Sequence, residues 1–310
     1  MASAESRALS ELYSGWVATL AANPDWQIEK VRTLFEHWGD VTGEPGDVDY
    51  VEVDAGGVPA LWAIPKGASA DHVLQATHGG GYVVGSRYSH RKLFGHIARA
   101  AGVRALIIDY RRAPEHLHPA PVEDAVTTYR WLIDQGYKPQ NIGLVGDSAG
   151  GALAVTTLLL LRERGLPLPA ASAPLSPWSD LLATGRSNVE NEERDHFVKR
   201  HLAANLSAVY LGDQGDSPAR RDPLASPLYA DFHGLPPLYI QVGGDEALLD
   251  DAARLADAAR AAGVDVQYEV WPEQQHVFQF LAGTAPEGDD AVAKLATFFR
   301  GRFGLNAAAA

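Results

Sequence analysis

The sequence predicts an α/β fold, a mostly parallel central sheet with helices on both faces and a helical cap, and three observations lead there. From Val73 onward, short apolar runs of strand length alternate with amphipathic helical stretches, the pattern of repeated βα units that stack into a parallel sheet. Residues 4–38 keep a helical period before any strand appears. Residues 181–225 lose the strand period in the middle of the alternation, as an inserted lid does.

The elements follow in order. Leu9, Leu12, Tyr13, Trp16 and Leu20 recur at helical spacing, and Ile28, Val31, Leu34, Phe35 and Trp38 repeat it after Asn23-Pro24. From Val48 the period is that of a strand: Val51 and Val53 alternate with acids, Gly56-Gly57 supplies a turn, and Val58–Ile64 completes a hairpin. Val73–Thr77, Arg104–Asp109, Ile142–Val145 and Ala170–Leu175 read as strands, separated by helices at Ser89–Ala101, Pro121–Gln135 and 149–164. Within the polar segment 185–222, Phe197, Leu202, Leu206, Val209 and Tyr210 have helical spacing, which predicts an ordered lid packed with the N-terminal helices. The alternation resumes with strand Leu238–Val242, helix Glu246–Ala262 closed by Gly263, strand Val264–Trp271 and helix Asp289–Arg302. The expected organisation is an α/β core of residues 46–180 and 226–310 under a cap of residues 1–45 and 181–225. The terminal Ala307–Ala310 run adds nothing to this pattern.

Composition narrows the function classes. A net charge of −13 over 310 residues repels a nucleic-acid backbone or an anionic membrane. With no cysteine, disulfides, a thiol nucleophile and thiolate metal sites are excluded, and a reducing, cytoplasmic location is the expectation. No basic segment precedes the mildly apolar residues 15–22, and no stretch approaches the ~20 apolar residues of a membrane span, so neither a targeting segment nor membrane insertion is expected. His-Glu-x-x-His is absent, and His116-Leu117-His118 lacks a carboxylate at ligand spacing; no metal is implied.

The chemistry centres on Gly146-Asp147-Ser148-Ala149-Gly150-Gly151, between a strand and an apolar helix. Gly-x-Ser-x-Gly in that context forces the serine onto a tight turn at the sheet edge, beside the N–H groups of a helix start. A serine nucleophile needs a base, and the base needs an orienting carboxylate. Asp245 and His276 each lie just past the carboxyl end of a later strand, and the order Ser148, Asp245, His276 is that of an α/β-hydrolase. Glu246, Asp250 and Asp251 compete with Asp245; its glycine-rich loop favours Asp245. His78-Gly79-Gly80-Gly81 leaves backbone N–H groups uncovered, so Gly80, Gly81 and Ala149 are the candidate oxyanion donors. Tyr82 and Trp178 are candidate pocket residues on the core side, and Phe197, Leu202 and Leu206 on the lid side.

The glycine motifs, together with Asp109-Tyr110-Arg111-Arg112-Ala113-Pro114-Glu115-His116 and Ser176-Pro177-Trp178-Ser179-Asp180, resemble the motif set of the hormone-sensitive-lipase family of bacterial esterases. Among its members the chain is similar to epsilon-lactone and acetyl-ester hydrolases. The resemblance implies an α/β-hydrolase core with a helical cap, a serine carboxylic-ester hydrolase without cofactor, and short- or medium-chain esters or lactones as substrates. Two positions depart from the family pattern: Arg112 stands where leucine is usual, and Asp245 is followed by Glu246-Ala247-Leu248 where Asp-Pro-Leu is common. Asp147, Arg111, Glu115 and Asp180 read as structural. An amidase or peptidase on the same triad, and a non-catalytic small-molecule receptor, are the alternatives, the receptor being expected to lack His276. The strand Val264–Trp271, or the helix after it, offers a surface for a homodimer.

Overall fold

The computed structural model describes residues 2–213 and 217–305, so the Ala307–Ala310 run lies outside the described residues. Helices α1 (Arg7–Ala22) and α2 (Ile28–Phe35) come first, followed by the strands β1 (Val48–Asp54), β2 (Pro59–Pro65) and β3 (Ser69–Thr77). Then α3 (Arg91–Ala101), β4 (Val103–Ile108), α4 (Ala120–Asp134), β5 (Ile142–Asp147), α5 (Ala149–Glu163) and β6 (Ala171–Leu175) alternate. The inserted segment carries α6 (Ser187–Glu190) and α7 (Arg200–Leu211), and β7 (Leu238–Gly243), α8 (Leu249–Ala261), β8 (Val266–Trp271) and α9 (Pro286–Arg302) complete the chain.

The strands form one sheet in the order β1-β2-β4-β3-β5-β6-β7-β8. β2 runs antiparallel to both neighbours, and every pairing from β4 to β8 is parallel. Strand alternation sorts side chains between two cores. Leu74, Ala76, Ala105, Ile107 and Val145 face the layer of α3 and α9. Val73, Leu106, Ile108, Ile142 and Leu144 face that of α4, α5 and α8. The helix α5 is buried along its length from Ala149 to Leu161, which is why its sequence is apolar on all sides. Burying its ~13 residues removes most of their apolar surface from water at about 25 cal/mol per Å², so this strand–helix unit anchors the molecule.

The parallel register brings the carboxyl ends of β3, β5, β6, β7 and β8 to one edge, and the loops that leave them carry the chemistry-bearing residues. Above that edge, α1, α2 and the segment after β6 meet. Phe197 stacks on Tyr13 with centroids 4.5 Å apart and also touches Trp16, Phe35 and Trp38. Arg32 of α2 reaches down to Glu115, at 2.7 and 2.6 Å, and to the Ala113 carbonyl at 2.9 Å. The segment expected to be helical around His196–Tyr210 contains α7, and only its last turns keep the predicted bounds.

The start of α8 differs from the expected bounds. α8 begins at Leu249 rather than Glu246, because the Glu246 side chain turns back to accept the Gly243 N–H at 2.5 Å and closes a turn ahead of the helix.

Candidate active site

Ser148 sits between β5 and α5 at φ +53°, ψ −120°, backbone that a non-glycine residue adopts only under constraint. The constraint is packing. A Cβ on Gly146 would lie 2.3 Å from the Gly150 carbonyl oxygen, and one on Gly150 would lie 2.0 Å from that of Thr77. With glycine at both positions the strand, turn and helix close on one another. The Ser148 N–H is held by the Leu175 carbonyl and its carbonyl by the Trp178 N–H, so β6 braces the turn from the side. Ser148 then faces a cavity of about 300 Å³.

His276 is buried at the same cavity, in the loop after β8. Its Nδ1 is 2.8 Å from Glu246 Oε2, and its Nε2 is buried with no partner among the described residues. The carboxylate that orients it is therefore Glu246 and not Asp245. Glu246 is fully buried and receives, besides the imidazole, the Gly243 N–H at 2.5 Å and the Ser176 hydroxyl at 2.6 Å, both on Oε1. Asp245 contributes its N–H to the Gln274 carbonyl, while its carboxylate points out to Arg194 at 3.6 Å. Adjacent residues in a tight turn point opposite ways, and the inward one is Glu246. A signal for this lay in the sequence: Glu246-Ala247-Leu248 keeps the acid-x-Leu spacing of the Asp-Pro-Leu frame, with the leucine two residues after the acid, and Leu248 lines the cavity.

Electrostatics follow from the burial. Desolvation works against a charged imidazole, but the Glu246 hydrogen bond and charge outweigh it, with Asp195 and Asp147 adding to them, so His276 titrates above the ordinary histidine range. Burial pushes Glu246 up, and the donors of His276, Ser176 and Gly243 pull it back toward the anion.

The glycine loop after β3 completes the site. The Gly79 N–H is taken by Asp147 Oδ1 at 3.1 Å. The N–H groups of Gly80 and Gly81 have no acceptor among the described residues, and Ala149, first residue of α5, has none by helix geometry. Gly80 (φ +105°) and Gly81 (φ +60°) need glycine for a second reason: a Cβ on Gly80 would meet the Val84 carbonyl oxygen at 2.2 Å, and one on Gly81 would meet Leu206 at 2.7 Å. The Tyr110 hydroxyl on the His78 carbonyl, at 2.7 Å, and the stacked rings of the two residues hold the loop from below. Arg111 grips Asp124, and Asp180 gathers Thr184, Tyr229 and Arg254, all away from the cavity.

Apart from Asn205, the rest of the cavity wall is apolar. Trp178, Phe197, Leu202 and Leu206 line it, with Val31, Phe35, Trp38, Val83 and Leu248. Tyr82 does not. Its backbone has a positive φ of 63°, and its buried ring stacks on Tyr210 of α7 with centroids 3.9 Å apart. Sequence reasoning also missed Ser176 and Tyr13. The Ser176 hydroxyl bridges Glu246 and the Val277 N–H, and the Tyr13 hydroxyl donates to the His276 carbonyl at 2.8 Å.

Residues 74–280 match the α/β-hydrolase-fold family. An acetyl-hydrolase of Streptomyces hygroscopicus is 43% identical over 265 residues, covering 86% of each chain. The crystal structure of an esterase from the bacterial hormone-sensitive lipase family superposes with a TM-score of 0.92 at 46% identity, over 98% of this chain and all of that one. The chain belongs to the hormone-sensitive lipase family of α/β-hydrolases. An esterase of Acinetobacter venetianus, 34% identical over 74% of this chain and 75% of its own, stands among the relatives of this hormone-sensitive-lipase-family member. The activity they share is hydrolysis of carboxylic esters, and this family member is a carboxylesterase. No helix among its described residues is long and apolar enough to cross a membrane.

Proposed function

We propose that the esterase works by acyl transfer to Ser148, with His276 as base, Glu246 as the orienting acid and the Gly80, Gly81 and Ala149 N–H groups as the oxyanion hole. The observation that carries this reading is the state of His276: Nδ1 committed to a buried carboxylate, and Nε2 buried and unpartnered at the cavity that Ser148 also lines. Nε2 takes the hydroxyl proton as Ser148 Oγ bonds to the ester carbonyl carbon, and the carbonyl oxygen becomes the oxyanion. Collapse expels the alcohol, which leaves with the proton from Nε2. A water molecule then repeats the sequence on the acyl-enzyme, releasing the acid and restoring Ser148.

A cavity of about 300 Å³, walled by apolar side chains from the core and from the two helical segments acting as a cap, supports uncharged esters or lactones with short to medium acyl chains. The test is hydrolysis of p-nitrophenyl esters of rising acyl length, with a lactone alongside, by the wild type and Ser148→Ala. Activity that peaks at a short or medium chain and disappears in the variant supports the reading. Activity that survives Ser148→Ala overturns it.

A further inference from the structure

The segment between β6 and β7 does more than cover the cavity, because residues 191–199 bond to both loops that carry the triad's acid and base. Asn191 Nδ2 donates to the Glu246 carbonyl at 2.8 Å and the Gly244 carbonyl at 3.2 Å. Gln275, beside the histidine, accepts the His196 N–H at 2.8 Å and donates to the Arg194 carbonyl at 2.9 Å. Between these contacts lies Asp195, fully buried. Its Oδ1 accepts the N–H groups of Phe197 and Val198, both at 2.8 Å, and closes a turn of the segment. Its Oδ2 accepts the N–H of Ala247, the residue after Glu246, at 2.7 Å.

Those bonds have a direction. A carboxylate that needed only to cap its own turn would spend Oδ1 and leave Oδ2 to water. Here Oδ2 crosses to the acid-bearing turn, and Phe197, whose N–H the same carboxylate holds, stacks on the His276 ring at 6.0 Å. The groups facing the imidazole are Glu246 from the loop after β7, Asp195 from the inserted segment, Asp147 from the end of β5 and Tyr13 from α1 on its carbonyl.

We propose that Asp195 is a positioning residue for the Glu246–His276 pair: it fixes the acid-bearing turn through the Ala247 N–H and adds, beside Glu246 and Asp147, a further buried carboxylate facing the imidazole. This rests on the reading of Ser148, His276 and Glu246 as the reacting set. Two consequences follow. Losing the Ala247 bond lets Glu246 shift against His276, which lowers kcat more than substrate binding, since Asp195 does not line the cavity. Losing the charge makes the imidazolium less favourable, so His276 titrates at lower pH.

The experiment uses Asp195→Asn and Asp195→Ser. An amide has one acceptor oxygen for two sets of donors, so Asp195→Asn sets an NH2 against one of them. Serine keeps an acceptor for the Phe197 turn, as serine does in such turns, while removing the charge and the reach to Ala247, and it carries the test if the asparagine variant fails to fold. Two readouts are taken on folded protein: kcat and KM on a p-nitrophenyl ester, and the titration midpoint of His276 by histidine NMR. The expected result is a fall in kcat of about 10- to 100-fold with KM little changed, together with a His276 midpoint displaced to lower pH. A folded variant with wild-type kcat, or with the wild-type midpoint, overturns the proposal. The NMR titration needs no turnover. A failure of the Ser148 reading, seen as activity in Ser148→Ala, is therefore distinguishable from a failure of the Asp195–His276 coupling.

Discussion

Exchanging Glu246 for glutamine changes one atom and no volume, and the structure determines which way the new amide faces. Oε1 of Glu246 receives two donors, the Gly243 N–H and the Ser176 hydroxyl, while Oε2 receives one, from His276. The glutamine carbonyl therefore stays at the Oε1 position, and the NH2 replaces Oε2 opposite Nδ1. An NH2 there can only donate, so Nδ1 becomes the acceptor and the ring proton moves to Nε2. A base protonated on Nε2 cannot take the Ser148 proton. In serine hydrolases this wrong-tautomer defect lowers kcat by about 10⁴-fold, which is about 5.5 kcal/mol of transition-state stabilisation. Asp245→Asn removes only a 3.6 Å pairing with an Arg194 side chain that is itself 57% exposed, worth less than about 1 kcal/mol, or under about fivefold. Steady-state hydrolysis of one p-nitrophenyl ester by the wild type and both variants reads the difference, with circular dichroism to confirm folding. Comparable losses in the two variants, or near wild-type kcat in Glu246→Gln, would refute the tautomer argument.

Three further outcomes are expected. Because the Glu246 pairing overcomes burial and lifts His276 above the ordinary histidine range, and the base acts in its neutral form, kcat/KM should fall with decreasing pH already above that range; an acid limb at or below the ordinary histidine value contradicts this. Gly81→Ala sets a Cβ 2.7 Å from Leu206 at a φ of +60°, costing about 1–2 kcal/mol of backbone strain and lowering kcat by displacing an oxyanion donor. Adding Leu206→Ala should recover melting temperature more than kcat, and full recovery of both would count against the donor role. Burial first, then the neighbouring Asp180 charge, raises Asp251 to about 8, so its contribution to stability is complete below the unfolded carboxylate value near 4 and is lost as pH climbs to about 8. Asp251→Asn keeps an acceptor for the Ser179 and Asp180 N–H groups and should flatten that decline in a melting-temperature series; parallel curves for the two proteins would count against it.

Much of this molecule was legible in one dimension. The αβ alternation follows from apolar periodicity, and Ser148 from two glycines whose missing side chains let β5, the turn and α5 touch. The glycine loop at 78–81 and the histidine after the last strand are local signals of the same kind, since a strand end in a parallel sheet has one destination. Such features depend on residues near one another in the chain.

The acid, the pocket and the role of the inserted segment depend on residues that are far apart. Asp245 and Glu246 are neighbours with the same charge, and only the approach of the loop after β7 to the loop after β8 selects between them. Gly243 lets the Gln274 carbonyl come within 2.3 Å of where a Cβ would stand, which turns Glu246 inward and Asp245 outward. Tyr82 follows the same logic: an aromatic ring after the glycine loop suits a pocket wall, but folding stacks it on Tyr210 of the inserted segment, out of the cavity lining. Asp195 is one acid in a charged, polar stretch until folding sets it against the Ala247 N–H. Sequence by itself determined which elements form and which strand ends carry reactive groups, because periodicity and steric size are local properties. Tertiary structure decided which of two adjacent carboxylates meets the imidazole, because a side chain's direction in a turn is set by what packs against that turn from the other end of the chain.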